Sequence, residues 1–149
     1  MAIWQYTIEI IPRGALSDLG TLGFITLDDY NNFDFWENFD LEIEFFDSLT
    51  GGLERSRSWS GDIILYGDSE STCIRFFLEG SKISGIDVRI DFRYNYSEIL
   101  NSVIEFCHLN GFVIIDNLEI LDLNSIFFVH HIEKSEQFIT YKRLFGDPI

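Results

Sequence analysis

Residues 86–93 (IDVRIDFR) alternate strictly between apolar and charged side chains. The apolar set is Ile86, Val88, Ile90 and Phe92, and the charged set is Asp87, Arg89, Asp91 and Arg93. This alternation predicts an extended strand, because successive side chains of a strand point to opposite faces. One apolar face and one polar face are typical of an antiparallel sheet that is covered on one side.

Similar patterns elsewhere in the chain predict the rest of the secondary structure. Further strands are predicted at residues 3–11, 62–66, 72–78 and 112–115, with a hairpin turn at 79–82. Helices are predicted at 97–109 and from Asp122 or Asn124 to about Gln137. Pro12, Gly14 and Gly20 indicate a loop, and Gly146, Asp147 and Pro148 close the chain. We therefore predict one α+β domain over residues 1–149, an antiparallel sheet with two helices packed on it.

The helix at 97–109 has well-marked ends. Asn95 or Ser97 can cap its first turn, and Asn110-Gly111 supplies a left-handed stop. Its apolar stripe consists of Ile99, Leu100, Val103, Phe106 and Cys107. Since such a stripe packs on an apolar surface, we predict that Ile86, Val88, Ile90 and Phe92 point into the core beneath this helix.

The charge balance limits the classes of partner. The chain has 25 acidic and 10 basic residues, a formal net charge of −15. Such a charge opposes binding to nucleic acid or to an anionic membrane surface, and it favours a basic protein partner. No transmembrane helix or signal peptide is visible, and two cysteines are too few for a disulfide framework. We predict a cytoplasmic protein.

The acidic residues are concentrated in one region of the chain. Between Arg13 and Arg55 there are ten acidic residues and no basic residue. Within this interval, residues 28–47 combine carboxylates with aromatic side chains. Their spacing predicts a helix or turn that passes into a strand. Leu41, Ile43 and Phe45 would share one face of that strand. Exposed aromatics beside carboxylates suit a docking surface for a basic protein. The predicted partner-binding residues are Asp34, Trp36, Glu37, Asp40, Glu42 and Glu44. An amphipathic element with core-facing Phe side chains and solvated acids is the alternative, and both descriptions can hold together.

No motif in the chain predicts a metal site or a cofactor. His130 and His131 are adjacent and lack the i, i+4 spacing of a helical metal site. Cys107 lies on the apolar stripe of its helix, which predicts a buried, inert thiol. Residues 28–34 (DDYNNFD) are rich in oxygen ligands but lack the central glycine of a calcium loop. A carboxylate-based or calcium-dependent hydrolase with a site around residues 28–47 stays open as an alternative function.

The charged side of residues 86–93 forms a possible ionic cluster, composed of Asp87, Arg89, Asp91 and Arg93. An Arg pair in an acidic protein can form an anion site or an interface, because the guanidinium fork matches carboxylates and phosphates. The alternative is an internal ionic ladder on the sheet. Because acids greatly outnumber bases, we predict that Arg89 and Arg93 are held by carboxylates of the same chain.

Several short strings resemble those of a known group of proteins. They are residues 3–8 (IWQYTI), 58–60 (SWS), 66–68 (YGD), 86–93 (IDVRIDFR) and 145–148 (FGDP). The chain resembles a group of small acidic bacterial α+β proteins of unsettled function. Members of that group are similar in size and charge to immunity proteins of polymorphic-toxin and contact-dependent inhibition systems. The resemblance implies a stand-alone α+β domain that neutralises a toxin, and it assigns no functional residue.

The residues and the resemblance together favour a non-enzymatic binding protein. Its carboxylates would cover the cationic active-site groove of a basic toxin domain. Two other classes stay open: the hydrolase around residues 28–47, and a structural or regulatory module that dimerises through a sheet edge.

Overall fold

The computed structural model describes residues 1–17 and 23–146. The strands are β1 (Gln5–Pro12), β2 (Arg55–Ser56), β3 (Ile63–Gly67), β4 (Cys73–Glu79), β5 (Lys82–Asp91), β6 (Phe112–Asp116) and β7 (Glu119–Leu121). They form one antiparallel sheet in the order β2-β3-β4-β5-β1-β6-β7. The predicted class, α+β with an antiparallel sheet, is confirmed.

The described residues contain six α-helices rather than the predicted two. They are α1 (Arg13–Ser17), α2 (Leu27–Asn32), α3 (Asp47–Thr50), α4 (Ser97–Asn110), α5 (Ser125–Glu133) and α6 (Glu136–Phe145), and a 3₁₀ helix spans Ile43–Phe46. Helix α1 starts directly after Pro12, where a loop was predicted. Gly20 of that loop, and Asp147 and Pro148 of the predicted chain end, lie outside the described residues.

The sheet buries the face that its alternation predicts. Ile86, Val88, Ile90 and Phe92 are all buried, which confirms the predicted inward face. On β1, Ile10, Ile8 and Tyr6 stand opposite the first three of these residues. Phe92 has ring neighbours in Tyr96 and in Phe138 and Tyr141 of α6, so α6 contributes to covering this end of the strand.

Helix α4 begins and ends where the sequence predicts. The Asn95 side chain accepts a hydrogen bond from the Ser97 N–H at 3.0 Å. At the other end Gly111 has a φ of 78°, and its N–H donates to the Cys107 carbonyl at 3.1 Å. Only glycine adopts this left-handed conformation without steric cost, so Gly111 stops the helix.

The predicted helix from 122 or 124 to 137 is two helices. Ser135 has extended backbone angles (φ −66°, ψ 149°), and its side chain accepts from the Phe138 N–H. A serine in this conformation caps a new helix, which explains why α5 ends and α6 begins here.

The prediction of a strand at residues 41–45 is wrong. This part of the structure forms the 3₁₀ helix followed by α3. Among the described residues, its one backbone hydrogen bond to a strand joins the Ile83 N–H to the Leu41 carbonyl at 2.9 Å. Phe46 is fully buried, whereas Phe45 is 45% exposed. The turn therefore directs Phe46 into the core in place of Phe45, whereas Leu41 and Ile43 of the predicted set are partly buried against the core.

Candidate functional site

The acidic segment, residues 34–44, carries five exposed carboxylates. All five were predicted to bind a partner: Asp34, Glu37, Asp40, Glu42 and Glu44. Trp36 was predicted to join them, but it is only 4% exposed. That prediction is wrong for Trp36, because a buried ring has no surface to offer a partner.

Buried aromatic rings attach the acidic segment to the core. The Trp36 ring centroid lies 5.9 Å from that of Phe112 and 6.4 Å from that of Phe46. Phe46 in turn lies 5.3 Å from Phe76 and 5.5 Å from Phe106. The alternating apolar and acidic residues therefore divide between the core and the solvent, as the amphipathic alternative predicted.

Hydrogen bonds fix the backbone between these rings. The Asp34 carboxylate accepts from the Trp36 N–H at 3.0 Å. Lys82 donates through its ammonium group to the Glu37 carbonyl at 2.9 Å. The segment thus presents its carboxylates from a backbone that is tied to β5 at one side and to the aromatic core at the other.

The carboxylates of the acidic segment have no ion-pair partner within the described residues. The ion pairs found there are Arg75–Asp87 and Arg93–Asp91, both outside the segment. Exposed carboxylates that no cation neutralises produce a negative field that extends into solvent.

The ionic cluster at residues 87–93 is only partly as predicted. Arg93 donates to both carboxylate oxygens of Asp91, from Nε to Oδ1 at 3.0 Å and from Nη2 to Oδ2 at 2.7 Å, and its backbone N–H donates to Oδ1 at 2.9 Å. Burial acts to raise the pKa of Asp91, but hydrogen bonds from Arg93 and Ser71 outweigh it and hold that pKa below its usual value. The Arg93 guanidinium also lies 4.1 Å from the Trp4 ring centroid. For Arg93 the prediction of a carboxylate partner is confirmed.

Arg89 differs from the prediction. Among the described residues its guanidinium has no carboxylate partner; Nη1 donates to the Ser69 carbonyl at 3.4 Å, and Nε is buried without a partner. Asp87 is instead held by Arg75, through Nε to Oδ1 at 2.7 Å and through a second bond from Nη2 to Oδ2. Arg75 and Asp87 stand directly opposite each other on β4 and β5. The sequence alone does not reveal this pair, because its identification requires the register between the two strands.

A second polar cluster is formed by residues that no sequence motif indicates. The Tyr6 hydroxyl donates to the Asp116 carboxylate, and His131 Nε2 lies 2.8 Å from the same carboxylate oxygen. The three residues belong to β1, β6 and α5, so no local motif joins them. They border a cleft of about 400 Å³ that Lys134 and Ser135 also line.

The chemistry of this cluster favours a structural role. Burial raises the pKa of Tyr6 well above its ordinary value, and the hydrogen bond to Asp116 adds to the rise, so the phenol is a poor nucleophile. The Ser135 hydroxyl is occupied, since it donates to the Ile132 carbonyl and accepts from the Phe138 N–H. Asp116 therefore connects the sheet to α5 through its two partners.

The sequence predicts a buried, inert thiol at Cys107 and no metal site. In residues 1–17 and 23–146, no three His, Cys, Asp or Glu side chains come together as a group able to hold a metal ion. Cys107 is buried, as predicted, and burial raises the pKa of its thiol to about 12.

Comparison of the chain with protein-family models, with curated proteins and with solved structures finds no match. The resemblance to small acidic bacterial proteins therefore stays a prediction. Within the described part of the chain, no helix combines the length and the apolar content needed to span a bilayer.

Proposed function

We propose that this protein binds a basic protein through its acidic segment. The observation that carries the proposal is a set of five exposed carboxylates, at positions 34, 37, 40, 42 and 44, without an ion-pair partner in the described residues. Such a surface interacts most favourably with a cationic partner, because the partner supplies the positive charges that the described part of the chain does not place beside these carboxylates.

The anchoring of the acidic segment supports the same proposal. Its backbone is held by Lys82, by the Ile83 N–H and by the buried Trp36 ring. A preorganised surface binds more tightly, because less conformational entropy is lost on association.

The specific partner follows from the resemblance. We infer an immunity protein whose acidic segment covers the cationic substrate groove of a toxin domain. Occlusion needs no catalytic residue in this chain, because the carboxylates occupy the positions at which the toxin would bind an anionic substrate.

The test uses the gene next to the one that encodes this chain. If that gene encodes a secreted protein with a variable C-terminal domain, that domain is purified and its association rate is measured against ionic strength. We expect fast association that slows as salt rises, because screening at physiological salt acts over ~8 Å.

Charge reversal identifies the surface. The test variant carries Glu37→Lys, Asp40→Lys and Glu42→Lys; Asp34 is left unchanged because its carboxylate accepts the Trp36 N–H. The control carries three reversals of exposed acids elsewhere, Glu70→Lys, Glu105→Lys and Glu133→Lys. Both sets change the net charge equally. We expect the test variant to associate at least about tenfold more slowly than the control, and equal rates would contradict the proposal.

A further inference from the structure

One cleft of this acidic protein is lined by basic and aromatic side chains. A cleft of about 430 Å³ lies beside the loop between β2 and β3, and we name it the Arg–Trp cleft. Arg55, Arg57 and Trp59 line it together with the apolar side chains of Ile63, Ile64 and Leu78. Among the described residues no acidic side chain lines it, although the chain has 25 acids and 10 bases.

Two guanidinium groups of the Arg–Trp cleft are available to a ligand. Arg55 and Arg57 are exposed, and within the described residues neither side chain has an ion-pair or hydrogen-bond partner. The neighbouring Arg75 is already neutralised by Asp87. The net charge of the cleft therefore comes from Arg55 and Arg57. A guanidinium group can donate two parallel hydrogen bonds to the oxygens of a phosphate or a carboxylate.

Trp59 is exposed on a loop that hydrogen bonds hold in place. Its side chain is 63% exposed, and the Arg75 guanidinium lies 6.0 Å from its ring centroid. Ser58 donates to the Ile63 carbonyl at 2.6 Å, and the Leu78 N–H donates to the Asp62 carbonyl at 2.8 Å. An indole held in this way offers a flat surface to a planar group at low entropic cost.

We propose that the Arg–Trp cleft binds a small anionic ligand, a phosphate or carboxylate group on a planar apolar body. Arg55 and Arg57 bind the anionic group, and Trp59 with the apolar floor takes the planar body. The volume lies within the range of small-molecule sites, roughly 300–1,000 Å³. The lining of the cleft includes no residue of the acidic segment, so the proposal does not rest on the proposed protein partner.

The experiment follows the indole N–H signals of the full chain by NMR during titration with phenyl phosphate. The Trp59 signal is the one that disappears in Trp59→Phe. The indoles of Trp4, which donates to the Glu70 carbonyl, and of the buried Trp36 are internal references. We expect a saturable shift of the Trp59 signal alone, with a Kd on the order of 1 mM, ordinary for a ligand of this size.

Matched variants distinguish the contribution of the cleft residues to binding from that of the overall charge. Arg55→Gln with Arg57→Gln is expected to weaken binding at least about tenfold, because both charged hydrogen-bond donors are lost. The control, Arg13→Gln with Arg143→Gln, removes two exposed guanidinium groups elsewhere and is expected to leave the Kd within about twofold. Benzoate in place of phenyl phosphate shows which anion is preferred, and tighter binding of either one supports the site.

Four results would overturn the proposal. They are the absence of a saturable Trp59 shift up to about 10 mM ligand, unchanged binding in the Arg55 and Arg57 variant, equal loss in the control, and equal binding of the neutral analogue benzyl alcohol. The last result would mean that the cleft recognises only the apolar body.

Discussion

Replacing Phe46 by Ala tests how the acidic segment is attached to the core. Phe46 is fully buried and has ring neighbours in Trp36, Phe76, Phe106 and Phe112, whereas the adjacent Phe45 is 45% exposed. The alternation of residues 41–46 predicts the reverse, with Phe45 facing inward. The two neighbouring positions therefore form a matched pair that separates the two arrangements.

The expected magnitudes follow from burial. A fully buried Phe→Ala change costs about 3–5 kcal/mol through lost transfer energy and the cavity that remains. Phe45→Ala should cost about 1 kcal/mol, since much of that ring already lies in water. Domains of this size are stable by roughly 5–15 kcal/mol, so Phe46→Leu, at about 1–2 kcal/mol, provides a milder variant if Phe46→Ala fails to fold.

Urea unfolding followed by circular dichroism measures these differences. An unchanged dependence of the unfolding free energy on urea shows that the variants unfold from the same compact state. A loss for Phe45→Ala that equals or exceeds the loss for Phe46→Ala would refute the inward orientation of Phe46, and with it the described attachment of the acidic segment.

Three further predictions concern buried polar groups. Asp87→Asn should lower the free energy of unfolding by about 2–4 kcal/mol, because it leaves the Arg75 guanidinium without its carboxylate. The side chains of Arg75 and Asp87 are only 14% and 11% exposed. A loss below about 1 kcal/mol in urea unfolding would contradict this prediction. Burial raises the pKa of Glu9, so its charged form costs stability at neutral pH. Glu9→Gln should therefore raise the melting temperature at neutral pH, and this gain should shrink as the pH falls towards about 4.3, the ordinary value of a Glu carboxyl; a gain that does not depend on pH would be inconsistent with titration of Glu9. Burial raises the pKa of Cys73 to about 11 and that of Cys107 to about 12, so neither thiol should react with Ellman's reagent until the protein is unfolded, and rapid reaction of the native protein would contradict their burial.

The strands could be predicted because their sequence pattern depends on one face being buried. Residues 86–93 alternate without exception, and the structure buries the apolar set. Residues 41–46 also alternate, yet they pair with no strand in the described structure beyond the single hydrogen bond from Ile83. Alternation shows that a strand is compatible with the sequence, but a strand also needs a neighbour, and the neighbour is set by tertiary structure.

Among the candidate site residues, too, the environment of some could be predicted from the sequence and that of others could not. The exposure of Asp34, Glu37 and Asp40 could be predicted, since carboxylates without a partner stay in water. The burial of Trp36 could not, because its neighbour Phe112 belongs to a distant strand. Likewise, the pairing of Asp87 with Arg75 depends on the register between β4 and β5.

The interior position of β1, between β5 and β6, has a consequence for folding kinetics. Ile10 of β1 pairs with Ile86 on one side and with Ile114 on the other. The neighbouring strands β3, β4 and β5 follow one another in both sequence and sheet order, so they can assemble from local contacts. β1 has to wait until β5 and β6 have been synthesised, and its closure of the sheet carries the entropy cost of two long loops. High contact order of this kind slows folding to milliseconds or seconds, and a nascent chain therefore carries an unpaired apolar strand through most of its translation.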